Sequence, residues 1–149
     1  MKNKLRLPNI TLLAATSIDI EQTQLAMRIS LQNISFGAVK LLSSLLPKKT
    51  YTDIEYVSIT PMNFLDYSRL IIEDLHKYFE TSHCLIVQAD SFVVNSDLWK
   101  DEFLKFDYIA APWSDTIQIN PNLVSLNAFW TWSSQTDLIV VVLFLIAVR

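Results

Sequence analysis

The chain has 149 residues, of which 51% are hydrophobic and 18% charged, so it can bury the core of one globular domain. Its net charge is -3 and its basic residues are scattered, which excludes a typical nucleic-acid-binding protein. A single cysteine, Cys84, cannot form an internal disulfide bond, so the cytoplasm is the predicted compartment. Only one glycine, Gly37, is present where roughly ten would be average, so either other residues make the turns or a glycine-bearing part is absent.

The first apolar segment, residues 9–16 (NITLLAAT), has the length of a β-strand. The basic residues before it resemble the start of a signal peptide, but the apolar part is short and lacks a small-residue cleavage site, so we predict a strand. Ser17 or Asp19 can then cap a helix, which we predict over residues 19–35 because its apolar residues recur near helical spacing.

Two strands and a second helix are predicted next. Residues 36–42 (FGAVKLL) indicate a strand, followed by a loop that contains Pro47. Residues 54–59 (IEYVSI) alternate and include β-branched side chains, which favours a short strand. A turn at residues 60–63 leads into a helix over residues 66–80, where four apolar residues share one face: Leu70, Ile71, Leu75 and Phe79.

The alternation of strands and helices continues to residue 113. Residues 83–90 (HCLIVQAD) and 91–95 (SFVVN) predict two strands, residues 96–106 a helical turn, and residues 107–113 (DYIAAPW) a last strand. Strands separated by helices require crossover connections. The sequence therefore predicts an α/β fold with a mainly parallel sheet and helices on both faces.

The tripeptide Gln88-Ala89-Asp90 ends one of the predicted inner strands. Open α/β sheets bind ligands beyond the carboxyl ends of their strands. A carboxylate at that position can hold Mg²⁺ or Mn²⁺, which prefer oxygen ligands and leave positions open for phosphate oxygens. The alternative interpretation is that Asp90 begins a turn and caps the next segment, as aspartates often do.

The segment LIVQADSFVVN, followed by LWKDEFLKFDYIAAPW, resembles the metal-binding region of GT-A glycosyltransferases, which are nucleotide-sugar transferases with a Rossmann-like fold. The chain is most similar to an uncharacterised bacterial glycosyltransferase-like family, a domain of unknown function. That family has a Gln-x-Asp, an EDLHKYF helix and a DYIGAPW strand, found here at residues 88–90, 73–79 and 107–113. The resemblance covers residues 8–127. It departs from the usual pattern at Gln88, which replaces the first acid of Asp-x-Asp, and at Ala110, which replaces a glycine.

The resemblance implies a donor site at the carboxyl ends of the strands. Thr16 and Ser17 would meet the base and ribose of the nucleotide, and Arg69 would face the sugar-diphosphate. Gln88 would bond a ribose hydroxyl, and Asp90 would bind a divalent cation, Mn or Mg. A helix cap remains the alternative role for Thr16 and Ser17, and an exposed helix position the alternative for Arg69.

Other chemistry-bearing residues have simpler explanations. His76 is predicted to lie on a helix surface, and His83 has no partner at metal-ligand spacing. Cys84, in an apolar strand, is predicted to be a buried small hydrophobe. Trp113 either packs in the core or forms a wall of the sugar pocket.

The last segment, residues 128–149 (AFWTWSSQTDLIVVVLFLIAVR), breaks the alternation of strands and helices. Its apolar run over residues 138–148 is too short to cross a bilayer, which takes about 20 residues. The resembling family would bring a glycine-rich piece similar to GNGGFSLR here, and a shifted reading frame is our hypothesis for its absence. We therefore predict two parts, a truncated nucleotide-sugar-binding part of a GT-A-like domain over residues 8–127 and a non-family tail over residues 128–149.

The activity implied by the resemblance is transfer of a sugar from a nucleotide-diphosphate donor to a saccharide acceptor. The truncated chain is expected to be inactive, because the second half of such a domain supplies the acceptor site. The alternatives are a non-catalytic remnant that binds a nucleotide or a partner, and a protein anchored by its tail. Nucleic acid is not expected as a partner, and neither is a membrane outside the tail-anchored alternative.

Overall fold

The computed structural model describes residues 4–109 and the backbone of residues 144–147. These residues form two α-helices and six β-strands, in the order β1 (Leu5–Thr16), α1 (Ile20–Ser30), β2 (Ile34–Ser43), β3 (Glu55–Ser58), α2 (Phe64–Arg69), β4 (His83–Ile86), β5 (Tyr108–Ile109) and β6 (Phe144–Ala147). The predicted α/β fold is confirmed.

The strands form one mainly parallel sheet in the order β3-β2-β1-β4-β6-β5. Strands β3, β2, β1 and β4 are parallel to one another, whereas β6 runs antiparallel to both β4 and β5. The chain moves outward from β1 through β2 to β3, and then returns to place β4 on the other side of β1. The direction of the strand order therefore reverses between β1 and β4.

Successive side chains of β1 are buried on opposite faces of the sheet, and a helical layer covers each face. On one face, Leu12 lies in the same core cluster as Met27 of α1. On the other face, Leu13 clusters with Leu70 and Phe79 from the second helical segment. Both Leu12 and Leu13 are fully buried. Because successive side chains of a strand point to opposite faces of the sheet, β1 contributes to the hydrophobic core on both faces.

The first helix ends earlier than predicted. It stops at Ser30 rather than at residue 35, because Ile34 pairs with Leu5 as the first residue of β2. The apolar side chain of Ile34 fits both a helical and a strand pattern, and its pairing with β1 places it in a strand. The predicted side-chain cap is also wrong, since Asp19 occupies the N-cap position but its side chain makes no capping hydrogen bond.

The second helical segment begins at Phe64 rather than at residue 66, because Asn63 and Asp66 form a capping box at its start. Only residues 64–69 are α-helical. A π-helical turn over Leu70–Asp74 and a 3₁₀ turn over Leu75–Tyr78 complete the segment. The predicted apolar face is nevertheless confirmed, because the side chains of Leu70, Leu75 and Phe79 are buried.

The predicted strand over residues 91–95 is wrong. After β4 the chain makes an isolated bridge between Gln88 and Ser91 and then leaves the sheet. The backbone N–H of Val93 donates to the buried Oγ of Ser30 in α1 (3.0 Å) rather than to a neighbouring strand. Two short 3₁₀ turns follow, Ser96–Leu98 and Asp101–Lys105, where a helical turn was predicted.

The last strands differ from the prediction. Of the strand predicted over residues 107–113, Tyr108 and Ile109 form β5, and residues 110–113 lie outside the described part of the chain. Residues 144–147, for which no strand was predicted, form β6 between β4 and β5. In the part of the chain that the structure describes, no helix has the length and hydropathy needed to cross a membrane.

The single glycine of the chain permits a close contact between β1 and β2. The register shifts between Leu7, which pairs with Phe36, and Thr11, which pairs with Ala38, so residues 8–10 bulge opposite Gly37. A Cβ atom at position 37 would lie 2.0 Å from the carbonyl oxygen of Pro8, which is a backbone atom. Only glycine fits against this bulge without a shift of the main chain.

We expect the Gly37→Ala substitution to destabilise the fold by about 1–3 kcal/mol, because the added methyl group forces the strands apart. Urea unfolding followed by circular dichroism measures the change. The matched control is Ser35→Ala, at an exposed position of the same strand. Equal unfolding midpoints for the two variants would show that the bulge tolerates a Cβ atom.

Candidate functional site

Polar residues end the parallel strands at one edge of the sheet. Thr16 of β1 pairs with Ser43 of β2, which in turn pairs with Ser58 of β3. Beyond β4, the backbone N–H of Val87 donates to the carbonyl oxygen of Leu13 (3.0 Å), so the chain after β4 stays beside β1. The loop after β1 and the turn after β4 are therefore neighbours at the point where the strand order reverses.

The loop after β1 is held by the side chains of Thr16 and Ser17. The Oγ1 of Thr16 accepts from the backbone N–H groups of Ile18 (3.3 Å) and Asp19 (3.2 Å), which shapes the turn into α1. The Oγ of Ser17 accepts from the backbone N–H of Met62 (2.8 Å), in the connection between β3 and α2. These bonds fix the loop and tie it to the start of α2.

The turn after β4 is closed by Gln88 and Ser91. The backbone N–H of Gln88 donates to the Oγ of Ser91 (2.7 Å), and the backbone N–H of Ser91 donates to the carbonyl oxygen of Gln88 (3.1 Å). Ser91 is fully buried, whereas Asp90 at the tip of the turn is exposed. Asp90 thus lies inside a turn that Gln88 begins, rather than beginning the turn itself, and its carboxylate is exposed.

A tyrosine that the sequence analysis missed joins this turn to α2. The Nε2 of Gln88 donates to the hydroxyl oxygen of Tyr67 (2.6 Å). Burial raises the pKa of the Tyr67 hydroxyl above its ordinary value; the hydrogen bond from Gln88 opposes this shift, and the nearby Asp90 carboxylate adds to it. Tyr67 lies two residues before Arg69, which the sequence analysis had assigned to the donor site. This proximity was the feature of the sequence that could have indicated a role for Tyr67.

Arg69 is placed differently from the other predicted donor residues. It is exposed at the end of α2, and two residues of an α-helix separate side chains by about 200°. Its side chain thus leaves the helix on another face than that of Tyr67. No hydrogen bond or ion pair within the described residues connects Arg69 with Thr16, Ser17, Gln88 or Asp90, and its role in binding the diphosphate stays a prediction.

The remaining candidates lie away from this edge or outside the described residues. His76 is exposed on the 3₁₀ turn. His83, at the opposite end of β4, is buried with its Nδ1 2.9 Å from the Oγ of Ser82. Cys84 is fully buried, and burial raises the pKa of its thiol. Trp113 and Ala110 lie outside the described part of the chain.

The donor set for a divalent cation is small. Among the described residues, no group of three or more histidine, cysteine, aspartate and glutamate side chains could hold a metal ion. The turn offers the exposed carboxylate of Asp90 and the amide oxygen of Gln88, which accepts no described hydrogen bond. One carboxylate with substrate phosphates is a common arrangement for Mg²⁺. The residues fit a cation that the ligand itself helps to hold.

Exposed apolar side chains surround the same edge. Ile18 follows β1, Leu45 and Leu46 follow β2, and Phe64 and Leu65 begin α2 after β3. Ile18 is 86% exposed and Phe64 is 82% exposed. Apolar surface next to a few convergent polar groups is typical of small-molecule sites.

The strands and helices define an α/β protein whose strand order reverses between β1 and β4. Residues 53–137 match the family described as "Protein of unknown function (DUF5672)", and the match covers more than half of the chain. The chain belongs to this family. No curated protein and no solved structure gives a significant match. The predicted division of the chain at residue 127 stays a prediction.

We expect the stability of the protein to fall as the pH rises above about 10, in part because of Tyr67. The raised pKa keeps this hydroxyl protonated in the folded state after it has ionised in the unfolded state, so rising pH favours unfolding. The Tyr67→Phe variant should lose less stability than the wild type over this range. Urea unfolding at neutral and alkaline pH checks it. Parallel stability curves for the two proteins would contradict the assignment of a buried, protonated hydroxyl.

Proposed function

We propose that the chain binds a nucleotide-diphosphate sugar in the crevice between the loop after β1 and the turn after β4. The observation that carries the proposal is that these two connections lie side by side where the strand order reverses. Open α/β sheets bind nucleotides where the strand order reverses, beyond the carboxyl ends of the two strands concerned. Strands β1 and β4 are that pair here; β1 ends at Thr16, and β4 is followed by the Gln88–Ser91 turn.

The crevice offers hydrogen-bonding groups of both kinds. The hydroxyl oxygen of Ser17 accepts a hydrogen bond from the backbone N–H of Met62. The hydroxyl proton of Ser17 can therefore be donated to a ribose or base. The amide oxygen of Gln88 and the carboxylate of Asp90 can accept from sugar hydroxyls. The glycosyltransferase-like sequence pattern at residues 85–113 favours a nucleotide-sugar over a free nucleotide.

The proposed reaction is transfer of the sugar to a saccharide acceptor, as in GT-A-like enzymes. A divalent cation, Mn or Mg, would neutralise charge on the leaving diphosphate when bound. Asp90 would provide its charged ligand, with the Gln88 amide oxygen beside it. Thr16 and Ser17 would hold the nucleoside. The single buried thiol agrees with a cytoplasmic location, which we also propose.

The binding test uses the full chain and isothermal titration calorimetry with UDP-glucose and GDP-mannose, each with MnCl₂. We expect one of them to bind, and we expect Asp90→Asn to weaken binding by at least tenfold, because the only carboxylate of the turn is neutralised. Glu80→Gln is the control, since it removes an exposed carboxylate at the opposite edge of the sheet. Failure of the wild type to bind either sugar nucleotide would contradict the proposal, as would equal effects of the two substitutions.

Release of free nucleoside diphosphate, measured in the same samples, shows whether the donor is cleaved with water as the acceptor of the sugar. Release that depends on Asp90 supports hydrolysis of the donor at this site. Binding without release, also after addition of a mixture of mono- and oligosaccharides as acceptors, supports the non-catalytic alternative.

A further inference from the structure

We propose that Tyr67 is a positioning residue of the donor site, which orients the Gln88 amide so that its oxygen faces the ligand. This inference rests on the proposed function. It addresses a difficulty in the sequence, where a neutral glutamine stands in place of the first carboxylate of Asp-x-Asp. A carboxylate offers an acceptor oxygen in either orientation, whereas an amide offers an oxygen or an N–H₂ group.

The main chain of Gln88 is fixed, so the orientation of its side-chain amide is what can still vary. The two hydrogen bonds with Ser91 fix the main chain of Gln88 in the turn. The Nε2 atom then donates to the hydroxyl oxygen of Tyr67 at 2.6 Å. With the nitrogen held by Tyr67, the oxygen of the amide points away from it, and no described residue donates to that oxygen.

Tyr67 is itself held in place, as an orienting residue must be. It lies in the first turns of α2, where its backbone N–H donates to the carbonyl oxygen of Asn63 (3.0 Å) next to the capping box. Its ring packs against the buried cluster around Leu13 and Leu70. Its hydroxyl group reaches the turn after β4, where it accepts from Gln88.

The arrangement gives Gln88 the behaviour of a carboxylate without its charge. The ligand meets an acceptor at Gln88 and the single negative charge of Asp90 two residues later. The Tyr67 hydroxyl accepts the hydrogen bond from Gln88 with an oxygen lone pair, so its own proton can be donated to the ligand. A site with one carboxylate and one oriented amide repels the diphosphate less than a site with two carboxylates.

A double-mutant cycle tests the inference, with UDP-glucose and GDP-mannose in MnCl₂ as the probes and the full chain throughout. In the wild-type background, we expect Tyr67→Phe to weaken sugar-nucleotide binding roughly three- to tenfold, the effect of losing one orienting hydrogen bond. In the Gln88→Glu background, we expect Tyr67→Phe to change binding by less than about twofold, because either carboxylate oxygen can accept. A purely structural role of Tyr67 would instead weaken binding equally in both backgrounds.

The control is Tyr78→Phe, which removes a hydroxyl from another tyrosine packed on the same cluster, one with no hydrogen bond among the described residues. It should leave binding unchanged, and thermal unfolding shows that each variant is folded. Equal losses in both backgrounds would overturn the inference. So would loss of binding in Gln88→Glu regardless of Tyr67, which would mean that the amide nitrogen faces the ligand. Absence of binding by the wild type would overturn the proposed function as well, whereas an effect of Asp90→Asn without one of Tyr67→Phe would overturn the inference alone.

Discussion

The pairing of β1 on both of its edges and the burial of both of its faces determine the rest of this structure. Leu12 and Leu13 are fully buried on opposite sides of the sheet, and burial of each such side chain contributes about 1.5–3 kcal/mol. Because β2 pairs with one edge and β4 with the other, the strand order reverses beside β1. Both helical layers pack on this strand, and the polar groups of the candidate site gather where it ends.

The polar groups at that edge are held by a few separate hydrogen bonds rather than by a large network. Ser17 connects the loop after β1 to the start of α2, and Tyr67 connects α2 to the turn after β4. Three separate connections of the chain are thereby fixed relative to one another. Such a preformed arrangement loses little conformational entropy when a ligand binds.

The layers of this fold could be predicted from the sequence, because apolar segments of strand and helix length alternate along it. The strand segment at residues 9–16 and the apolar face of the second helical segment were found in this way. Residues 91–95 were wrongly predicted to form a strand because their β-branched side chains favour that conformation locally. In the structure, the backbone N–H of Val93 donates to the Ser30 hydroxyl instead of to a neighbouring strand. Tyr67 could not be found by periodicity, since its role depends on a contact with Gln88, 21 residues away.

The central claim is that a nucleotide-diphosphate sugar and its cation bind at the reversal of strand order. Nuclear magnetic resonance of the ¹⁵N-labelled chain, with the sugar nucleotide that binds in calorimetry and a trace of Mn²⁺, tests it directly. Paramagnetic Mn²⁺ should broaden the amide signals of residues 16–18 and 87–91, and leave those of residues 80–83, at the opposite edge of the sheet, sharp. Broadening centred on residues 80–83, or none that depends on the sugar nucleotide, would contradict a donor site between β1 and β4.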